Sequence, residues 1–434
     1  MKKTKNFTVR TAKSPNNFMT DILDYLNNST NAFATVKVSK NMLIENGFLP
    51  YEPNVKAKVG GKYFIEKNGS AILAFKVGDL SHYAFNIALA HTDSPLLRVK
   101  GKKLLDSPCG KRVNVEAYGG LIRYSFMNIP LKLCGRLFVK SEEGLKTVLV
   151  DSDFNVNIPS LCIHHNPEVN EKALLTVQND MLPLIGGKED DLYKVLYGDG
   201  EIVDGDIFVA PAVKAFYSGA DNEYICSPRI DNLTSCFSLL NGIIDCNNYG
   251  VSVACLYDNE EIGSHTKQGA YSDFLPSVLK RVNCDLGKTD GDYYAAIDSG
   301  FILSVDNGHA VHPAHPEKSD PSQKVYLNGG IVIKHHTNYS TDGYSSAVLK
   351  TILDNHGIKY QDYYNNSDIR CGGTLGLIES AKLQMNSVDI GLAQLAMHSS
   401  IETAGKNDVE VMIKCVKAFF ESRFTPYGEV VTIK

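Results

Sequence analysis

Apolar and polar positions change their period twice along this chain. In FMTDILDYLNNSTNAFAT (18–35) apolar residues recur at helical spacing, with Ile22, Leu23 and Leu26 on one face, which predicts a helix. YFIEKNGSAILAFKV (63–77) holds two β-rich runs around Asn68-Gly69 and predicts a hairpin. AFNIALA (84–90) is a continuous apolar run of the kind that forms a buried strand, and it stops at His91. From about 100 to 215 the helical period fades. Short runs such as RVNVEAYGG, GRLFVK, KTVLV and GDIFVAPA, with frequent glycine, predict a β-rich insertion.

From 230 onward strands and helices alternate. Ile230, Leu233, Phe237, Leu240 and Ile244 repeat at helical spacing, and VSVACLY (251–257) follows as a strand. A helix near 269–282 comes next, then YAAI and GFILSV as further strands. VEVMIKCVKAFFES (409–422) closes the chain as an amphipathic helix with Asn407-Asp408 as cap candidates. This alternation predicts an α/β fold, a central sheet covered by helices. The domains expected are a discontinuous one of residues 1–99 and 216–434 and an inserted β-rich one of residues 100–215.

Composition narrows the possibilities. At 434 residues the chain exceeds a single hydrophobic core, in keeping with two domains. Its net charge of -5 argues against nucleic acid as a partner. The basic run RVKGKK (98–103) reads as a solvated linker. The N-terminal MKKTKNFTVRTAKSPNNF is basic but has no apolar core, so it is not expected to be a secretory signal. No stretch approaches the roughly 18 apolar residues that span a membrane. Ten scattered cysteines without a C-x-x-C suggest reduced thiols and a cytoplasmic protein.

Candidate chemistry gathers where the strands end, which in open α/β sheets is where ligands bind. AFNIALA leads into His91 and Asp93, VSVACLY into Asp258, Glu260 and Glu261, and GFILSV into Asp306, with His309, His312 and His315 behind. Asp231 opens the 230–244 helix, and His398 precedes the last one. Taken singly, each has an ordinary explanation: a structural histidine, a helix cap, a solvated acidic loop. Together, imidazole and carboxylate without thiolate suit zinc, cobalt or manganese in a hydrolytic site. In a Glu-Glu doublet one side chain can bind metal while the other acts as general base. Asp93, two residues from His91, is placed to orient the imidazole. No P-loop, G-x-S-x-G or H-E-x-x-H motif competes with this reading.

AHTDSPLLRVK (90–100), SPRIDNLTS (227–235), YDNEEIGSHTKQGA (257–270), SVDNGHAVHP (304–313) and DIGLAQLAMHS (389–399) resemble, in order, the motifs of the aspartyl aminopeptidase and vacuolar aminopeptidase I family. The resemblance implies a dinuclear zinc aminopeptidase with a mixed central sheet and an inserted dimerisation domain, assembled as a dodecamer and acting on peptides with a free N-terminus. It places His91, Asp231 and Asp306 on one metal, and Asp231, Glu261 and His398 on the other. Glu260 becomes the general base and Asp93 the residue that orients His91. His164 would reach a neighbouring subunit's site, Lys334 would lie near the pocket for the first side chain and favour Asp or Glu there, and His309 lies close by. The YGGLIRYSFMN stretch, Ala314-His315, Ala393 and Ile401 depart from the family pattern. A related amidohydrolase acting on dipeptides or N-acyl amino acids, and a binding protein that keeps the shell without turnover, are the alternatives.

Overall fold

The computed structural model describes residues 18–427 and 430–433. The basic N-terminal segment considered above, apart from its last residue, lies outside them. Among the described residues the largest sheet has nine strands. Its order is Leu49–Pro50, Lys62–Lys67, Ala71–Val77, Val251–Tyr257, Phe85–His91, Phe301–Val305, Ser387–Gly391, Ile331–His335 and Tyr360–Tyr364. The four central strands, from Val251–Tyr257 to Ser387–Gly391, are mutually parallel, so their carboxyl ends share one edge.

These central strands are buried on both faces, which explains their nearly continuous apolar sequence. In the Phe85–His91 strand, Ile87 and Leu89 join one core while Ala88 and Ala90 join the other. The second core is closed by the Ile230–Asp245 and Lys406–Glu421 helices, through residues such as Phe237, Leu240, Met412 and Phe419.

The β-rich insertion has its own five-stranded sheet, ordered Gly144–Asp151, Leu131–Ser141, Ile202–Pro211, Leu96–Val99 and Val115–Tyr118. Its separate core includes Leu97, Val115, Leu133, Leu137 and Val209. The basic run is a solvated linker only over residues 100–103, which are exposed and lie outside the strands. Arg98 and Val99 are strand residues, and Arg98 faces the carboxylates of Glu116 and Asp206. A third, smaller sheet joins Phe216–Ser218, Tyr224–Ser227, Glu402–Gly405, Ala393–Leu395 and Gly308–His309.

Four local expectations are corrected. The 18–35 helix is two helices, Phe18–Asn28 and Ala32–Glu45. The Asn31 side chain accepts hydrogen bonds from the N–H groups of Phe33 (3.0 Å) and Ala34 (3.1 Å) and caps the second. YAAI is helical, within Asp290–Asp298, because Thr289 and Asp292 form a capping box that outweighs the β-like run. The helix expected near 269 begins at Phe274. The last helix starts at Lys406 with Gly405 as its cap, and Asp408 instead accepts from the N–H groups of Asn328 and Gly330.

Candidate active site

The parallel strands bring the acidic and histidine residues to one edge. His91 ends its strand beside Tyr257, and the Phe301–Val305 strand runs along its other side. Glu260 and Glu261 follow one strand, His91 ends the next, and Asp306 follows the third. Asp231 joins them from outside the sheet's strands. Formally it lies in the Ile230–Asp245 helix, but its φ of -78° and ψ of 111° are not helical. It is therefore not the helix cap that its position in sequence suggests; Arg229 holds that place.

Three overlapping groups result: His91 with Asp231 and Asp306, Asp231 with Glu261 and His398, and His91 with Glu260 and Glu261. The His91 Nε2 atom lies 3.6 Å from Asp231 Oδ1 and 3.6 Å from Asp306 Oδ1. The His398 Nε2 atom lies 3.5 Å from Asp231 Oδ2 and 3.4 Å from Glu261 Oε1. These separations are longer than ordinary hydrogen bonds. They are close to the spacing of about 3.4 Å between donor atoms on a tetrahedral cation with bonds of about 2.1 Å. Asp231 Oδ1 is buried and has no hydrogen-bond partner among the described residues. An orphaned oxygen of this kind is costly unless a cation meets it. The donor set thus fits a metal centre, with Asp231 turning one oxygen to each histidine.

Both imidazoles are oriented through their other nitrogen. His91 Nδ1 faces the Asp93 carbonyl at 3.1 Å and Asp93 Oδ1 at 3.4 Å. His398 Nδ1 faces the Gly120 carbonyl at 3.2 Å. This arrangement leaves each Nε2 for the ligand position. Asp93 itself is held by the backbone N–H groups of Glu260 and Glu261, at 3.1 and 3.2 Å, and by the Tyr118 hydroxyl at 2.7 Å.

Charge reinforces the geometry. Burial acts against a charged His91, but the Asp306, Asp93 and Glu260 carboxylates outweigh it and hold the imidazole well above its usual pKa. Burial likewise opposes the His398 cation, yet Asp231 and Glu261 raise its pKa to about 10. Burial pushes Glu260 up to about 7, aided by Asp306, Asp93 and Asp231. Asp306 is held below the usual carboxylate range, against burial, by the Lys334 cation and by His91. So many carboxylates around two imidazoles call for positive charge.

The remaining sequence candidates lie differently. Lys334 is fully buried, with Nζ 3.6 Å from Asp306 Oδ2 and 4.9 Å from the Tyr339 ring centroid. His309 is exposed, and its Nδ1 faces the Ala310 carbonyl at 2.9 Å. His164 is exposed on the insertion and joins none of the three groups. Sequence reasoning missed Tyr118, although it opens the Tyr-Gly-Gly turn, and it missed Glu402, four residues after His398.

The family model described as "Aminopeptidase I zinc metalloprotease (M18)" matches residues 25–420. The chain belongs to the M18 family of zinc metalloaminopeptidases. A probable M18 family aminopeptidase 2 of Clostridium novyi is 36% identical over 425 residues, covering 93% of this chain and 98% of that relative. Aspartyl aminopeptidase 4 of Saccharomyces cerevisiae is 32% identical over 490 residues, 98% of this chain and 99% of the yeast protein. The solved M18 aminopeptidase of Thermotoga maritima superimposes with a TM-score of 0.83 at 25% identity, over 93% of this chain and 96% of that one. This M18 chain is thus a metallopeptidase that removes N-terminal residues, with the mixed α/β architecture of its relatives. Among the described residues no helix is long and apolar enough to cross a membrane.

Proposed function

We propose that this M18 chain is a dinuclear aminopeptidase, with His91, Asp231 and Asp306 holding one ion and Asp231, Glu261 and His398 the other. The observation that carries the reading is Asp231, whose two oxygens face two separate histidine–carboxylate pockets. Zinc, cobalt and manganese all suit this donor set. When bound, two such ions would supply Lewis acidity for activating a water, polarising the scissile carbonyl and anchoring a free α-amine. Glu260 is the general base. Its carboxylate joins His91 and Glu261 at the edge of the pockets, placed to take a proton from a water there and return it to the leaving amine. Asp93 keeps His91 in the ligating orientation and ties it to the Glu260-Glu261 turn.

The buried Lys334 cation supports a preference for Asp or Glu as the first residue, in line with the aspartyl aminopeptidase name of the yeast relative. A homo-oligomer, with His164 acting at a neighbouring copy's site, belongs to the same reading. In a single chain Leu161 is 61% exposed and Leu174 78% exposed on the segment that carries His164, and a second copy would cover them. The cytoplasmic assignment rests on ten free thiols.

The test is hydrolysis of Asp-, Glu- and Leu-p-nitroanilide by chelator-stripped protein, before and after adding zinc, cobalt or manganese. Metal-dependent release is expected, and Glu260→Gln should lower it by about 10²- to 10⁴-fold while bound metal stays the same. Lys334→Met should lower the Asp/Leu ratio. Hydrolysis only of N-acetylated substrates would make the chain a deacylase, and metal binding with no turnover would make it a binding protein.

A further inference from the structure

Glu402 opens the strand Glu402–Gly405 and pairs with Ser227 of the neighbouring strand, from which the chain runs to Asp231. Its carboxylate is 1% exposed. One oxygen, Oε2, accepts the backbone N–H of Asp231 at 2.9 Å. The other, Oε1, accepts the backbone N–H of His398 at 2.6 Å. Neither stretch is fixed by regular structure at these points. Arg229 and His398 both have positive φ, 61° and 67°, and Asp231 departs from helical geometry. One planar carboxylate therefore bridges the two backbone positions whose side chains must meet at the second pocket, while their carbonyls accept from the Ser94 hydroxyl and the Ile122 N–H.

Burying this carboxylate beside Asp231 is unfavourable unless positive charge answers it. Arg229 is also buried. Arg229 donates from Nε to the Ser29 carbonyl at 2.9 Å, while its Nη1 has no hydrogen-bond partner among the described residues. Arg229, Glu402 and His398 line a cavity of about 10 Å³, room for one water.

We propose that Glu402 is a positioning residue for the metal centre, holding Asp231 and His398 in register. This rests on the dinuclear reading above. Glu402→Gln keeps the volume but leaves one oxygen to accept, with an amide N–H turned towards a backbone N–H.

The test titrates the metal-free full-length protein with cobalt(II) and follows its visible absorption bands. Wild type is expected to bind two equivalents. In Glu402→Gln the equivalent assigned to Asp231, Glu261 and His398 should weaken by about 10- to 100-fold and its bands should shift, with the other equivalent less affected. Glu402→Asp, too short to reach both N–H groups, should show the same selectivity. Thermal unfolding of the metal-free proteins is followed in parallel. Lost stability with both equivalents bound as in wild type would overturn the proposal. So would failure of both variants to fold without metal, because Glu402 would then be purely structural. Fewer than two equivalents in wild type would instead sink the dinuclear reading.

Discussion

Gly119 shows how little room the site has. It takes a φ of +71°, and a Cβ built on it would lie 3.1 Å from Glu261 Cβ and 3.4 Å from Glu261 Oε2. Glycine alone meets both demands. Gly119→Ala should cost about 1–3 kcal/mol in denaturant unfolding and should also weaken metal binding, because the strain falls on a proposed ligand. Unchanged metal affinity would show that Glu261 can give way. Legibility at this scale follows the same physics. His91, Glu261 and Asp306 stood out because each follows or ends an apolar strand run, and Asp231 and His398 joined them through the family motifs SPRIDNLTS and DIGLAQLAMHS. Tyr118 and Glu402 did not: Tyr118 meets Asp93 25 residues away, and Glu402, though it accepts from His398 four residues before it, shows its bridging role only through Asp231, 171 residues away.

At the scale of elements, apolar runs revealed the buried strands, and misled where a cap decided the outcome. YAAI has a β-like composition, yet the Thr289–Asp292 capping box makes it helical. The Asn-Asn-Ser-Thr-Asn run interrupts a helical period because Asn31 offers its side chain to two backbone donors. Asn31→Ala should therefore destabilise the fold by about 0.5–2 kcal/mol in chemical denaturation, with little effect on turnover. A neutral result would mean that tertiary packing of Ile22, Val36 and Leu43 fixes the break without the cap.

For the whole molecule, pH dependence turns on buried carboxyls away from the metal centre. Glu379 is fully buried. Its Oε1 accepts the Tyr257 hydroxyl at 2.5 Å, and its Oε2 has no hydrogen-bond partner among the described residues. Burial raises its pKa to about 7. The folded state therefore binds this proton more tightly than the unfolded chain does. Its contribution to stability is full below the unfolded value, near pH 4.5, and is lost as pH rises through about 7. With about 1.4 kcal/mol per pKa unit, the loss is about 3 kcal/mol. Glu379→Gln should remove this slope, so the difference in unfolding free energy between variant and wild type should move in the variant's favour between pH 5 and 7.5 on the order of that amount. A difference independent of pH would show that Lys382, 3.8 Å away, keeps the group ionised throughout.

The proposed ligands are strung from residue 91 to residue 398, and this order has a consequence for how the molecule is made. A ribosome that has synthesised the chain as far as Val305 has supplied His91, Asp231 and Glu261 but neither Asp306 nor His398. The second pocket waits for a histidine that arrives just before the last long helix. On the proposed ligand set, a chain that stops short of His398 can complete the first pocket but not the second.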